Sequence, residues 1–378
     1  MASAPSREDD WHYPRPDLAE RLLQAFAIGL SSARGLFARR RMGKTAFLIH
    51  DLIPAAQAAG YLTAYTNFWD DTDHPGQALV AALLAAVEPK GVQRLWQHLK
   101  TPVKSVKGSG RLAGLGDAGL EVNLEARERV VVPALQQALH AADARRKPLL
   151  LVMDEAQVLA RPEHAALAHA LRSGLDTRKA RIKVVFAGSS ETALRDMLGK
   201  PSAPFYNWAV IEPFELLGQD FVAALVKHTH RLARHRLALA DAQAAFDALN
   251  QTPQFFRWYL ERYLLNQIQG SAEALAHTRA RIHDELGFGR DWAALIAADR
   301  ALLLLLAQGV PDLHSAAALA RMGKLLGLGE PAKVSLAQNA LRRLCSPRAG
   351  LLAKLEHGRY RFESSEFEEW VRMRGAVA

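Results

Sequence analysis

The sequence predicts an α/β protein, a parallel sheet wrapped by helices and followed by a helical lid and a C-terminal winged helix-turn-helix. Three observations carry this reading. In the first half of the chain, short apolar runs rich in β-branched and aromatic residues alternate with helical segments. From Phe214 onward the strand signals give way to helical spacing. Near the C-terminus, helices are followed by two short alternating segments joined at His357-Gly358, a hairpin signal.

At 378 residues the chain is too long for one small core and calls for two or three domains. Its 49% hydrophobic and 23% charged residues are ordinary for a globular protein, which places disorder at the ends. A single cysteine, Cys345, excludes a disulfide framework and a cysteine-based zinc site, and it suits a reducing cytosol. The stretch Met1 to Asp10 lacks the charged-then-apolar order of a signal peptide. The longest apolar run, Ala301 to Ala307, is far short of the roughly 20 residues of a membrane helix. The expectation is a cytoplasmic protein with no membrane partner. The net charge of +9 permits a polyanionic partner without requiring one.

Taking the elements in order, Leu18, Leu22 and Phe26 stand four apart and predict a first helix, with Asp17 as its N-cap after Pro16. An apolar strand from Gly35 to Ala38 then turns into Ala38-Arg39-Arg40-Arg41-Met42-Gly43-Lys44-Thr45 and a helix beginning at Ala46. Strand, glycine-bearing turn and helix are the setting of a phosphate-binding loop, where inward N–H groups and the helix dipole favour an anion. The candidate cofactor-binding set is Ala38, Arg40, Arg41, Met42, Gly43, Lys44, Thr45 and Ala46. Gly43 would let the backbone approach the phosphates. Lys44 would reach the β- and γ-phosphates, and Thr45 would be a Mg²⁺ ligand.

A second strand runs from Tyr61 to Trp69, followed by a helix from about Gln77 to Val87. Residues 89–116 carry six Lys/Arg and no acidic residue, read as a solvated loop or hairpin with phosphate contact as the alternative. The apolar run Leu149 to Met153 ends in Asp154-Glu155, a buried strand delivering two carboxylates to the edge where ligands bind. Asp154 would join Thr45 in holding Mg²⁺, and Glu155 would polarise the attacking water. A fourth strand, Ile182 to Ala187, ends at Gly188-Ser189-Ser190 on the same edge.

Residues 218–286 read as helices, with Phe246, Phe255, Phe256, Trp258 and Tyr259 as core. His228, His230 and His235 are loosely spaced and read as a solvated face rather than a metal site. In 291–378, a long apolar helix, a short helix near Ser315 to Ala320 and the helix Ser335 to Leu344 precede the hairpin, a winged helix-turn-helix order. The candidate nucleic-acid residues are Arg342, Arg343, Lys354 and Arg359. The acidic run Glu363, Glu366, Glu368 and Glu369 opposes DNA contact if it shares that surface.

With these residues in hand, the chain resembles the bacterial and archaeal P-loop ATPases of the AAA-related "archaeal ATPase" group, relatives of the STAND and origin-initiator ATPases. The resemblance spans about residues 17–370 and rests on Arg-Arg-x-Gly-Lys-Thr at Arg40 to Thr45, Asp154-Glu155, Gly188-Ser189-Ser190, Pro253 and the terminal winged helix. It implies a P-loop NTPase domain at 17–215 after a flexible tail at 1–16, a helical lid at 216–290 and a winged-helix domain at 291–378. It also implies ATP and Mg²⁺ as ligands, Lys44, Glu155 and Ser189 as the catalytic set, and Pro253 near the adenine, with Arg257 a candidate for reaching the phosphates. Two departures stand out: Ala38 replaces the loop's first glycine, and Trp208 in Pro204-Phe205-Tyr206-Asn207-Trp208-Ala209 replaces the arginine expected to meet the γ-phosphate. Slow hydrolysis is the consequence, unless Arg195 or a neighbouring subunit of a homo-oligomer supplies the arginine. The leading expectation is an ATP-dependent switch acting on double-stranded DNA. The alternatives are a signalling or defence ATPase whose winged helix contacts a separate sensor or effector protein, and a nucleotide-binding scaffold with negligible turnover.

Overall fold

The computed structural model describes residues 11–87, 118–346, 349–355 and 359–375. The basic segment 89–116 and the turn at His357-Gly358 lie outside the described residues. The chain divides into two compact units, Met1–Glu215 and Leu216–Ala378.

The first unit is built on a parallel sheet of β1 Ala33–Phe37, β2 Leu62–Asn67, β3 Leu149–Asp154, β4 Ile182–Gly188 and β5 Val210–Pro213, in the order β2-β3-β4-β1-β5. Helices α1 Pro16–Ala27, α2 Lys44–Phe47, α3 Ile53–Ala58, α4 Pro75–Val87, α5 Ala118–Asp143, α6 Ala165–Asp176 and α7 Glu191–Gly199 surround it. Every residue of β3 and β4 is buried, as continuous apolar runs require when both faces of a sheet are covered. Side-chain alternation sends Leu149, Leu151 and Met153 into one core with Leu83, Leu139 and Leu171. Leu150 and Val152 enter the other, with Leu22, Phe47 and Leu52. Each such side chain contributes roughly 1.5–3 kcal/mol on burial.

The register sets the site. Phe37 pairs with Gly188, Met153 with Phe186 and Asn67 with Asp154, so the segments following β1, β3 and β4 leave the sheet at one level. The edge strand β5 has a weak strand signal of its own. It forms because β1 offers a free ladder from Arg34↔Val210 to Phe37↔Pro213, joined by Arg34 Nη1 donating to Glu212 Oε1 at 2.6 Å.

The first helix corrects one expectation. It starts at Pro16 with Arg15 as N-cap, so Asp17 lies inside the first turn and is not the cap. Proline suits the first helical position, and an acidic group in that turn still meets the positive end of the dipole. Residues before it are held to the unit: His12 Nε2 lies 3.0 Å from an Asp51 oxygen, and the Arg15 guanidinium sits 4.2 Å from the Phe214 ring centroid.

In the second unit, helices α8 Gln219–Leu232, α9 Leu239–Ala248, α10 Pro253–Leu265 and α11 Gly270–Glu285 enclose Phe221, Phe246, Phe256 and Tyr259, with ring centroids 5.1–5.8 Å apart. His230 Nε2 lies 2.9 Å from the Leu237 carbonyl oxygen, and no metal-ligand cluster of three or more groups occurs among the described residues. Helices α12 Phe288–Ala294, α13 Ala297–Ala307, α14 Ala316–Leu325 and α15 Val334–Leu344 follow, then the antiparallel pair β6 Leu352–Lys354 and β7 Tyr360–Phe362, and α16 Ser365–Gly375. Leu302, Leu303, Leu341, Leu344, Phe362 and Phe367 share one core. Among the described residues no helix is long and apolar enough to cross a membrane.

Candidate nucleotide site

The loop after β1 is held in place before any ligand is considered. The Ala38 N–H donates to the Gly188 carbonyl at 3.2 Å, so the residue replacing the usual first glycine prolongs the β1–β4 ladder by one step. Met42 is buried in the core beside Phe47 and pins the turn, leaving only its backbone to meet a phosphate. Arg41 and Gly43 both take left-handed backbone angles, φ 69° and 82°. A Cβ at Gly43 would meet nothing within 4 Å, so its positive φ, not lack of space, is what favours glycine here. The Arg40 guanidinium turns aside to sit 4.3 Å from the Trp69 ring centroid.

Lys44 and Thr45 open α2, and both point at the end of β3. Lys44 Nζ pairs with Asp154 Oδ1 and lies 3.5 Å from Glu155 Oε1. Thr45 Oγ1 donates to Asp154 Oδ2 at 2.6 Å, and the Glu155 N–H donates to Asp154 Oδ1 at 2.9 Å. Asp154 is fully buried, and its charge is tolerable there because a buried cation and two neutral donors surround it. Two hard oxygens, Thr45 Oγ1 and Asp154 Oδ2, converge next to a phosphate loop. That donor set fits Mg²⁺, which takes one or two protein oxygens and completes its shell with phosphate and water.

Glu155 adopts a left-handed conformation, φ 54° and ψ 40°, which turns its side chain towards β4. Its Oε2 accepts from Ser189 Oγ at 2.7 Å and from Gln157 Nε2 at 2.6 Å. The structure therefore brings Lys44, Thr45, Asp154, Glu155 and Ser189 together from three strand ends.

Two members of this cluster carried no signal in the sequence. Gln157 stands two residues beyond the carboxylates, and the missing side chain of Gly188 makes room for it: a Cβ there would lie 2.7 Å from Gln157 Oε1. Tyr65 on β2 faces Asp154. Burial first, and then the Asp154 charge, push its hydroxyl well above the usual tyrosine range, so it stays a protonated donor.

The remaining candidates belong to other elements. Pro253 begins α10 in the second unit, after Asn250 and Gln251 in left-handed conformations, and Arg257 is on the same helix. Trp208 precedes β5 and so stands at the N-terminal edge of the sheet, opposite the loop, packed on Phe186 and Phe205. It cannot meet a phosphate bound at its own chain's loop. Among the basic residues, Arg342, Arg343, Lys354 and Arg359 are all exposed, and Arg343 Nη2 in addition donates to the buried Asp299 at 2.6 Å.

The sequence matches no family model and no curated protein. Solved structures do match. The Walker-type ATPase PABY2304 of Pyrococcus abyssi superposes with a TM-score of 0.59 at 17% identity, covering 97% of this chain and 97% of that one. The ORC2 protein of Aeropyrum pernix in its ADP form gives 0.58 at 15% identity, with 98% of each chain covered. The same protein in its ADPNP-ADP complexes gives 0.56 at 14%, again over 98% of each. The chain thus has the α/β fold of the P-loop ATPases.

Proposed function

We propose that this protein is an ATP-binding switch that hydrolyses ATP slowly and acts on double-stranded DNA through a winged helix made of α13 to β7. One observation supports the ATPase reading above the rest: a lysine, a hydroxyl, two carboxylates and a serine, contributed by three strand ends, meet beside a left-handed phosphate loop. That the Aeropyrum pernix neighbour was solved in an ADP form agrees with it.

In this reading the loop N–H groups and Lys44 take the β- and γ-phosphates, so Lys44 exchanges Asp154 for phosphate. Thr45 and Asp154 would hold Mg²⁺, which when bound would neutralise charge on the phosphoryl oxygens. Glu155 accepts a proton from the attacking water. Two donors, Ser189 Oγ and Gln157 Nε2, fix the orientation of that carboxylate, and Trp208 in place of an arginine fits slow turnover.

The DNA part is supported by the face of α15. Ser335, Gln338, Asn339 and Arg342 are exposed at helical spacing, opposite buried Ala337, Ala340, Leu341 and Leu344. Exposed Lys333, Lys354 and Arg359 flank it. A second reading, contact with a partner protein, is favoured by the commitment of Arg343 to Asp299. Steady-state ATP hydrolysis with and without duplex DNA decides between them: stimulation by DNA is expected, and identical rates together with no DNA binding would leave the partner-protein reading.

A further inference from the structure

A second concave site lies at the far edge of the same sheet. The N-terminal ends of four strands, around Ser32, Tyr61, Lys183 and Trp208, line a cleft of about 1150 Å³. That is the size of a small-molecule pocket or slightly larger. None of its lining residues among those described is acidic, and three are cationic: Arg172, Lys179 and Lys183. Asp176, behind the wall, occupies two of these. It pairs with Arg172, lies 2.8 Å from Lys179 Nζ, and accepts from Trp208 Nε1 at 3.2 Å.

Lys183 is different. It sits within β4, is only 8% exposed, and its Nζ donates to the Lys179 carbonyl at 2.8 Å. No carboxylate lies against it among the described residues, and burial alone pulls its ammonium below the usual lysine value. An ammonium partly withdrawn from water against a single neutral acceptor is disfavoured. Such a group inside an apolar strand is unfavourable for folding, and an anion entering the cleft would remove the penalty. Beside it the cleft presents aromatic surface from Tyr61 and Trp208, with the Arg172 guanidinium 4.9 Å from the Trp208 ring centroid, and hydroxyl or amide groups from Ser31, Ser32 and Asn207.

We propose that this cleft is a second ligand site, for a small nucleoside monophosphate, with Lys183 on the phosphate, Lys179 turning from Asp176 to join it, and Tyr61 and Trp208 against the base. It is independent of the phosphate loop, whose residues lie at the other end of the strands, and it does not require the protein to hydrolyse ATP.

Calorimetric titration with AMP tests it on protein presaturated with ADP, and on Lys44→Ala protein, so that the loop does not contribute. One AMP per chain is expected. Lys183→Met should weaken AMP binding tenfold or more and leave the melting temperature unchanged or higher, since it removes an ammonium that no carboxylate meets among the described residues. Lys179→Gln should weaken binding without altering stability. Ribose 5-phosphate should bind several-fold more weakly than AMP. No AMP binding at millimolar concentration, or full affinity in Lys183→Met, overturns the site. Equal affinity for ribose 5-phosphate overturns the role of the aromatic wall.

Discussion

Asp154 is fully buried and bound by Lys44, by Thr45 Oγ1 at 2.6 Å and by the Glu155 N–H at 2.9 Å. Removing Lys44 deprives the loop of its phosphate-directed cation and Asp154 of its counter-ion. Lys44→Ala is therefore expected to lose nucleotide binding and to lower stability by roughly 3–5 kcal/mol, the usual consequence of breaking a buried pair. A fluorescent ATP analogue and a thermal melt measure the two effects, and unchanged affinity would sink the loop assignment. Glu155, held by Ser189 and Gln157, is 8% exposed against 0% for Asp154. Glu155→Gln should keep ATP affinity and lower turnover by ~10²-fold or more. Should Asp154→Asn and Glu155→Gln show the same Mg²⁺-dependent binding defect, the two carboxylates do not divide the work as described.

At the level of elements, α15 carries two adjacent arginines with different fates. Arg343 neutralises Asp299, which is 4% exposed, across to α13, whereas Arg342, exposed, lies 3.4 Å from Asn339 and meets no carboxylate among the described residues. Adjacent helical positions diverge by about 100°, so one can serve packing and the other a ligand. Arg343→Ala should lower the melting temperature by leaving Asp299 buried and uncompensated. Arg342→Ala should leave stability intact and cut the salt dependence of duplex binding by about one phosphate contact. Binding isotherms over a salt series and melting curves distinguish these, and the reverse pattern would contradict the assignment. The acidic residues of α16 have partners within the second unit: Glu369 is 3.3 Å from Arg279, and Thr252 Oγ1 donates to Glu366 at 3.4 Å. This removes part of the repulsion that the sequence placed beside the wing.

For the whole molecule, the position of Trp208 at the N-terminal edge means that its own chain's loop receives nothing from that segment. A missing arginine can cost ~10³-fold or more in phosphoryl transfer, so an isolated chain should turn over ATP slowly. If a second copy supplies an arginine, the specific activity should rise with protein concentration. If Arg195 of the same chain serves, activity should be independent of concentration and fall in Arg195→Ala. Many turnovers per second from dilute protein with Arg195 replaced would rule out both accounts.

The sequence by itself determined the parallel sheet and the kinds of residue at its C-terminal edge, because those signals are local. The apolar runs of β3 and β4, and the Gly43-Lys44-Thr45 and Asp154-Glu155 motifs, each lie within a few consecutive residues. Helix starts were less legible, since Asp17 and Arg15 compete for one cap and Pro16 decides it by its fixed φ. Only the tertiary structure decided what is set through space. It put Gln157 and Ser189 on Glu155, Tyr65 beside Asp154, Arg343 on Asp299, and β5 on the free edge of β1. It also placed Lys183, 8% exposed, against the Lys179 carbonyl, with no carboxylate partner among the described residues. Partners such as Lys44 and Asp154 are 110 residues apart, and which charge meets which depends on strand order and register, quantities that no short stretch of sequence contains.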